Sequence, residues 1–269
     1  MVKEEIYHYC SVDTLKKIVE SKALRFSDIM KSNDSKEIEF LWDKYQEYVE
    51  TIDPKVVEKS ELKYLKTLRN GILEDVMSLA LCFSDKRDSL HMWNCYADAG
   101  IAIGFNYSSL QEWTGRLFQK DSEIPSIELK TVKYFNPVEI ESFVKKECKL
   151  IDGDIYSVFM NAPFCKSDFF KAEGEVRAII HIWLEYDKTI LDYDTRTNGK
   201  KVVPLGIYEN RYSKIVPFVD VPFPEEMITS ITIGPNCRLN EKDIRQLLFV
   251  NNFKNFQEIT IERSKGSYR

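Results

Sequence analysis

Apolar and polar residues alternate or recur along this chain in a way that assigns most of it. IYHYC (6–10) has the period-2, aromatic-rich pattern of a strand. SVDTLKKIVESKA follows with Ser11 as N-cap and Val12, Leu15, Ile18 and Val19 on one helical face. LRFS (24–27) is a short strand, and SNDSKEIEFLWDKYQEYVE is a helix capped by Asn33, Asp34 or Ser35. A second long helix, DPKVVEKSELKYLKTLRNGILEDV, opens at Pro54. MSLALCFS (77–84) predicts an apolar strand, DSLHMWNCYAD a short helix and GIAIGF (100–105) another strand.

Beyond these, IELKTVKYF predicts one strand, and a helical region runs from about 137 to 161. EVRAIIHIWL, KTILDYD, KIVPFVDVPF, MITSITIGP and FQEITIER predict strands, with NEKDIRQLLFVNNF as a helix before the last. Helices crowd the first third and strands the second half, without regular β-α-β alternation. The order argues for an α+β fold with a mixed or antiparallel central sheet flanked by helices. No linker interrupts the pattern, so one domain over residues 1–269 is expected.

Composition narrows the function classes. The net charge of -5 gives no global attraction to phosphate backbones or anionic lipid. The N-terminus MVKEEIYHYC lacks the apolar core of a signal peptide, and no apolar run reaches the roughly 18 residues that span a bilayer. A cytoplasmic protein without membrane contact is therefore expected. Cys10, Cys82, Cys95, Cys148, Cys165 and Cys237 are scattered, mostly among apolar neighbours, and the chain has only three histidines. This is the pattern of mostly buried thiols in a reducing compartment, with no zinc-type ligand cluster.

Several strand ends carry polar residues that packing leaves unexplained. In KAEGEVRAIIHI, Glu173 and Glu175 precede a buried-type strand that contains Arg177. Residues 173, 175 and 177 share one face, so the charges either neutralise one another or border a cleft. His8 lies between two tyrosines and reads as a satisfied strand histidine or as a ligand-binding one. Asn33 and Asp34 could cap a helix. Trp93 and Tyr96, three apart on a helix, could be core packing or a wall of a site.

Together, YHY, LRFS, ND-x-x-E, SLALCFS, MWNCYAD-x-GIAIGF, E-x-EVR and ITIGP, in that order, resemble the bacterial family called domain of unknown function 2971. The resemblance runs from residue 6 to about 235, with little contribution from 107–165. The chain has NDSKE where the family has an Asn-Asp-Pro-x-Glu form, and EGEVR where E-K-E-W-R is common. Neither departure removes a polar group.

The chain order His8, Tyr96, Glu175 is also similar to the His-Tyr-Glu ADP-ribosyltransferases. That likeness implies an ADP-ribosyltransferase-like fold, NAD as substrate, and cleavage of the nicotinamide–ribose bond with transfer of ADP-ribose to an acceptor or to water. It implies catalytic roles for Glu175, His8 and Tyr96. Glu175 would stabilise an oxocarbenium-like state, His8 would hold a ribose hydroxyl, and Tyr96 would stack on nicotinamide. Ser27, Asn33, Ser84, Trp93 and Arg177 would complete the NAD site, with Arg177 orienting Glu175. Enzymes of that kind act as bacterial toxins or in antiviral defence, so such a role follows by analogy. Two alternatives stay open: a non-catalytic nucleotide-binding module in the same cleft, and a metal-dependent nuclease or hydrolase using Asp34, Glu37, Glu173 and Glu175.

Overall fold

A computed structural model describes residues 4–31, 38–51, 76–97, 99–116, 127–147, 155–183, 205–210 and 213–266. Strand β1 (Glu5–Cys10) leads into helix α1 (Val12–Ser21), whose N-cap Ser11 accepts a hydrogen bond from Thr14 N at 3.1 Å. There follow β2 (Ala23–Asp28), α2 (Glu39–Glu50), β3 (Val76–Ser84), α3 (Leu90–Met92, continued by a π turn Trp93–Ala97), β4 (Ile101–Asn106) and α4 (Tyr107–Arg116). Next come β5 (Ile127–Thr131), β6 (Lys133–Phe135), α5 (Pro137–Glu147), α6 (Ile155–Asn161), β7 (Cys165–Ser167) and β8 (Glu175–Trp183). The chain ends with β9 (Gly206–Glu209), β10 (Ile215–Pro222), β11 (Ile228–Ile233), α7 (Glu241–Val250) and β12 (Thr260–Arg263).

Ten of these strands form one mixed sheet, in which β11 and β12 run parallel and the other pairs antiparallel. Its topology is forked. The long strand β3 pairs along its whole length with β8, and β5 lies on the far edge of β8. The opposite edge of β3 is shared by two strands: β1 meets it only at Tyr7↔Ser84, and β2 only at Ser27↔Ala80 and Asp28↔Leu79. From there two arms diverge, β1-β4-β11-β12 and β2-β10-β9. Between them a wedge opens in which Leu81, Cys82 and Phe83 pair with neither strand along that edge.

Strand alternation sends the apolar residues to two faces. One face carries Ile6, Phe26, Phe83, Phe105, Val176, Ala178 and Val219 and is covered by α1, α4 and α7 through Leu15, Leu110 and Ile244. On the other face two separate clusters form. Leu41, Trp42, Val144 and Phe159 of α2, α5 and α6 cover Val76 and Ile179, while Met92, Trp93 and Ala97 of α3 cover Tyr7 and Tyr9. The polar site lies on this second face, between the two clusters.

The predicted elements that can be compared fall close to their places, with instructive differences. IELKTVKYF is not one strand: β5 stays on the edge of β8, the Val132 amide bonds the Glu175 carbonyl at 2.9 Å, and β6 turns away to pair with β7. Helix α4 was not foreseen, although Asn106 caps it by accepting from Ser109 N at 2.9 Å. The caps at 33–35, the second long helix at 53–76 and the KTILDYD strand lie outside the described residues, save Val76, which opens β3. Among the described residues no helix is long and apolar enough to cross a membrane. Cys10, Cys165 and Cys237 are buried, while Cys82 and Cys95 are exposed.

Candidate functional site

The two glutamates reach one spot because the backbone turns sharply between them. A 3-10 turn, Asp168–Glu173, ends at Gly174, whose φ of +56° is the left-handed conformation a glycine adopts at little steric cost. The Gly174 carbonyl then accepts from Asp85 N at 2.8 Å, which ties the turn to the end of β3. A Cβ at position 174 would stand 2.0 Å from Asp85 Oδ1, so the close approach also selects glycine.

Beyond the turn, Arg177 grips both oxygens of Glu175, Nε to Oε1 at 2.7 Å and Nη2 to Oε2 at 2.9 Å. Its Nη1 donates to the Pro163 carbonyl at 2.6 Å. The Lys166 ammonium sits between the carboxylates, 2.8 Å from Glu173 Oε2 and 2.9 Å from Glu175 Oε2. Tyr134 Oη accepts from the Glu175 amide at 2.8 Å. Arg177, Lys166, Glu173 and Glu175 are all buried, the most accessible of them by 6%.

Burial alone would raise the Glu175 pKa. The charges of Arg177 and Lys166, with the forked hydrogen bonds, outweigh it and hold the carboxyl down at about 2. Two carboxylates and two cations thus neutralise one another in the interior, and the charges at the start of β8 form an internal ion cluster. The ammonium of Lys166 takes the space between Glu173 and Glu175 that the metal-dependent alternative would assign to a divalent cation. Asp34 and Glu37, its other two ligands, lie outside the described residues.

One member of the cluster communicates with the surface. Tyr96 Oη donates to Glu173 Oε1 at 2.5 Å, while the residue as a whole stays 41% exposed. Burial, then the charge of Glu173, raises the Tyr96 pKa, so the phenol keeps its proton and acts as the donor. The π turn presents this ring. Its extra residue per turn rotates Tyr96 outward while Trp93 points inward, donating Nε1 to Asp88 at 2.7 Å and packing edge-on against Tyr9 at 4.7 Å.

Cys82 marks the adjoining opening. It lies in the middle of the central strand β3, paired with Arg177 of β8, which is fully buried, yet Cys82 itself is exposed. The sheet face is therefore uncovered at this point, in the wedge between β1 and β2. Ser27, half-buried on the β2 side, accepts from Tyr208 Oη at 3.4 Å.

His8 does not join Tyr96 and Glu175. Tyr7 is in register with Ser84, and Ser84 with Glu175, so these three share a face and His8 is directed to the other one. Its ring stands edge-on to Phe83 at 6.0 Å, and Nδ1 bonds the Cys82 carbonyl at 2.9 Å. That carbonyl lies where the fork leaves the β1–β2 edge of β3 without a strand, and the histidine bonds it there.

Three more expectations need correction. Trp93 is 1% exposed and is core packing, not the wall of a ligand site. Ser84 is sealed inside, donating to the Glu173 carbonyl at 2.5 Å and accepting from Lys86 N at 3.1 Å, which closes the loop after β3. Arg177 is fully buried and cannot touch a ligand. Asn33 lies outside the described residues. Sequence reasoning missed Lys166, whose only signal was a lone cation between Cys165 and Ser167 after an apolar run, and it preferred Glu175 to Glu173. The signal for Glu173 was the intervening glycine, which reverses the direction of the preceding residue.

Comparison of the chain with protein-family models, with curated proteins and with solved structures finds no match, so the geometry of the fork and its ion cluster is the ground for a functional reading.

Proposed function

We propose that the wedge between β1 and β2 is a nucleotide-binding cleft and that NAD is its ligand. The observation that carries this reading is the exposure of Cys82 in mid-sheet, next to a solvent-facing tyrosine ring backed by a carboxylate. Ligand sites are concave, largely preformed, and combine apolar or aromatic walls with a few convergent polar groups. Here Tyr96 supplies a flat ring for a nicotinamide or base, and Glu173 behind it supplies an acceptor for a ribose hydroxyl. An ADP-ribosyltransferase-like fold is part of the proposal.

Alkylation of Cys82 tests the cleft. NAD, ADP-ribose or AMP at saturating concentration should slow the reaction of Cys82 with iodoacetamide, as read by peptide mapping. An unchanged rate with all three would refute the cleft.

The Tyr96–Glu173 contact favours a second reading, in which bound NAD is cleaved. The C1′–N bond would break with its electron pair leaving on nicotinamide, and water or an acceptor hydroxyl would add to the ribose carbon and lose its proton. Glu173, freed from Tyr96, is the carboxylate that would face the developing cation, because both oxygens of Glu175 are engaged by Arg177 and Lys166. Nicotinamide release, with cell extract as acceptor source, should fall about 10²–10³-fold in Glu173→Gln. Equal release by wild type and variant removes Glu173 from catalysis, and no release by wild type leaves the non-catalytic module.

A further inference from the structure

On the β2 side of the wedge a second flat surface is built around Arg25. Ser27 pairs with Ala80, so by the same register Arg25 stands level with Cys82 across the opening, past the last residue that pairs with β3. Its guanidinium carbon lies 3.5 Å from the centroid of the Phe218 ring. Nε and Nη2 fork onto Asp220, both at 2.8 Å, so the plane cannot rotate off the ring. The Tyr208 ring stands 5.6 Å away and completes the edge of the surface.

What lies beneath the phenyl ring makes this more than a surface ion pair. Gly206 of β9 is in register with Phe218, and a Cβ at 206 would stand 2.3 Å from the Phe218 ring. The backbone of Gly206 has no left-handed φ to explain the glycine, since only Gly174 among the described glycines does. The missing side chain is what lets Phe218 lie flat and Arg25 lie flat upon it. Yet the Arg25 side chain remains 39% exposed. An exposed Arg–Asp pair contributes little to stability, so a layered arrangement of glycine, phenyl and locked guanidinium is more than folding requires.

We infer that Arg25 is the base subsite of the cleft: the outer surface of its guanidinium stacks on the purine ring of a nucleotide, whose sugar extends towards Tyr96. Planar cations and aromatic rings take bases by stacking, and stacking tolerates any π face. The inference rests on the nucleotide reading of the wedge and adds which end of it takes the base.

Calorimetric titration of AMP and of ribose 5-phosphate tests it. Wild type should bind AMP at least about tenfold more tightly than ribose 5-phosphate, the loss expected for one stacked base. Arg25→Lys keeps the charge and removes the plane, and Gly206→Ala leaves Arg25 intact and lifts Phe218. Each should reduce the AMP affinity about tenfold and leave ribose 5-phosphate unchanged, with the thermal melt close to that of wild type. If either variant binds AMP as tightly as wild type, or wild type does not prefer AMP, the stacking shelf is overturned while the cleft stands. If wild type binds neither compound, the cleft reading fails and the shelf with it.

Discussion

Arg177 and Glu175, two residues apart on β8, are joined by two parallel hydrogen bonds in the interior, at 2.7 and 2.9 Å. Such a pair is held mainly by the penalty for breaking it. Arg177→Ala leaves Lys166 as the cation beside Glu175, and Lys166 is shared with Glu173, so urea unfolding should show a loss of about 3–5 kcal/mol. Replacing both partners, Glu175→Gln with Arg177→Met, should recover much of that loss. A loss below about 1 kcal/mol in Arg177→Ala would mean that the ion cluster is solvated.

The same cluster sets an acid limit. The folded Glu175 titrates at about 2, below its ordinary 4.5, because Arg177 and Lys166 outweigh the burial that would raise it. The unfolded chain therefore binds this proton first as pH falls. The contribution is complete above pH 4.5, declines from there to about 2, and amounts to roughly 3 kcal/mol. Unfolding free energies measured through this window should fall steeply in wild type and less steeply in Glu175→Gln. Parallel curves would remove Glu175 as the cause.

Gly174 should be the least replaceable glycine of the site. Alanine there meets both the left-handed φ and the Asp85 carboxylate, so Gly174→Ala should destabilise by about 1–2 kcal/mol from the backbone alone. Because the turn aims Glu173 at Tyr96, the variant should also expose the Tyr96 phenol to titration at lower pH, as read by ultraviolet difference spectra. A wild-type spectrum in the variant would separate the turn from the Tyr96–Glu173 contact.

Much of the fold was legible because it rests on apolar patterning: the alternation of 6–10, the apolar runs of 77–84 and 176–182 and the helical stripe of Leu15, Ile18 and Val19 all settle where that patterning directs them. The charged start of β8 was legible as a choice between pairing and a cleft, and Lys166 decides it for pairing at Glu175. What the sequence could not reveal is the fork. Two strands sharing one edge of β3 is a long-range fact with no local signature, and it determines that Cys82 is exposed and that His8 caps a carbonyl. Trp93 and Tyr96 were paired by ordinary helical spacing, whereas the π turn sends one inward and the other out.

His8 offers the clearest separation between capping a backbone group and binding a ligand. Burial lowers its pKa from 6.5, against the opposing pull of the Cys82 carbonyl, so the folded protein holds the neutral ring. The unfolded state then binds the proton more readily, and the stability from this site is present above pH 6.5 and lost as pH falls below it. His8→Leu keeps the packing against Phe83 but leaves the Cys82 carbonyl without its donor, which should cost about 1–3 kcal/mol at neutral pH. The variant should also lose the wild-type decline in stability just below pH 6.5. Its affinity for NAD should stay within about twofold of wild type, because the ring is directed to the opposite face from Tyr96 and Glu173. A tenfold loss of NAD affinity in a folded His8→Leu protein would place His8 in the ligand site after all, and would restore the triad that the strand register separates.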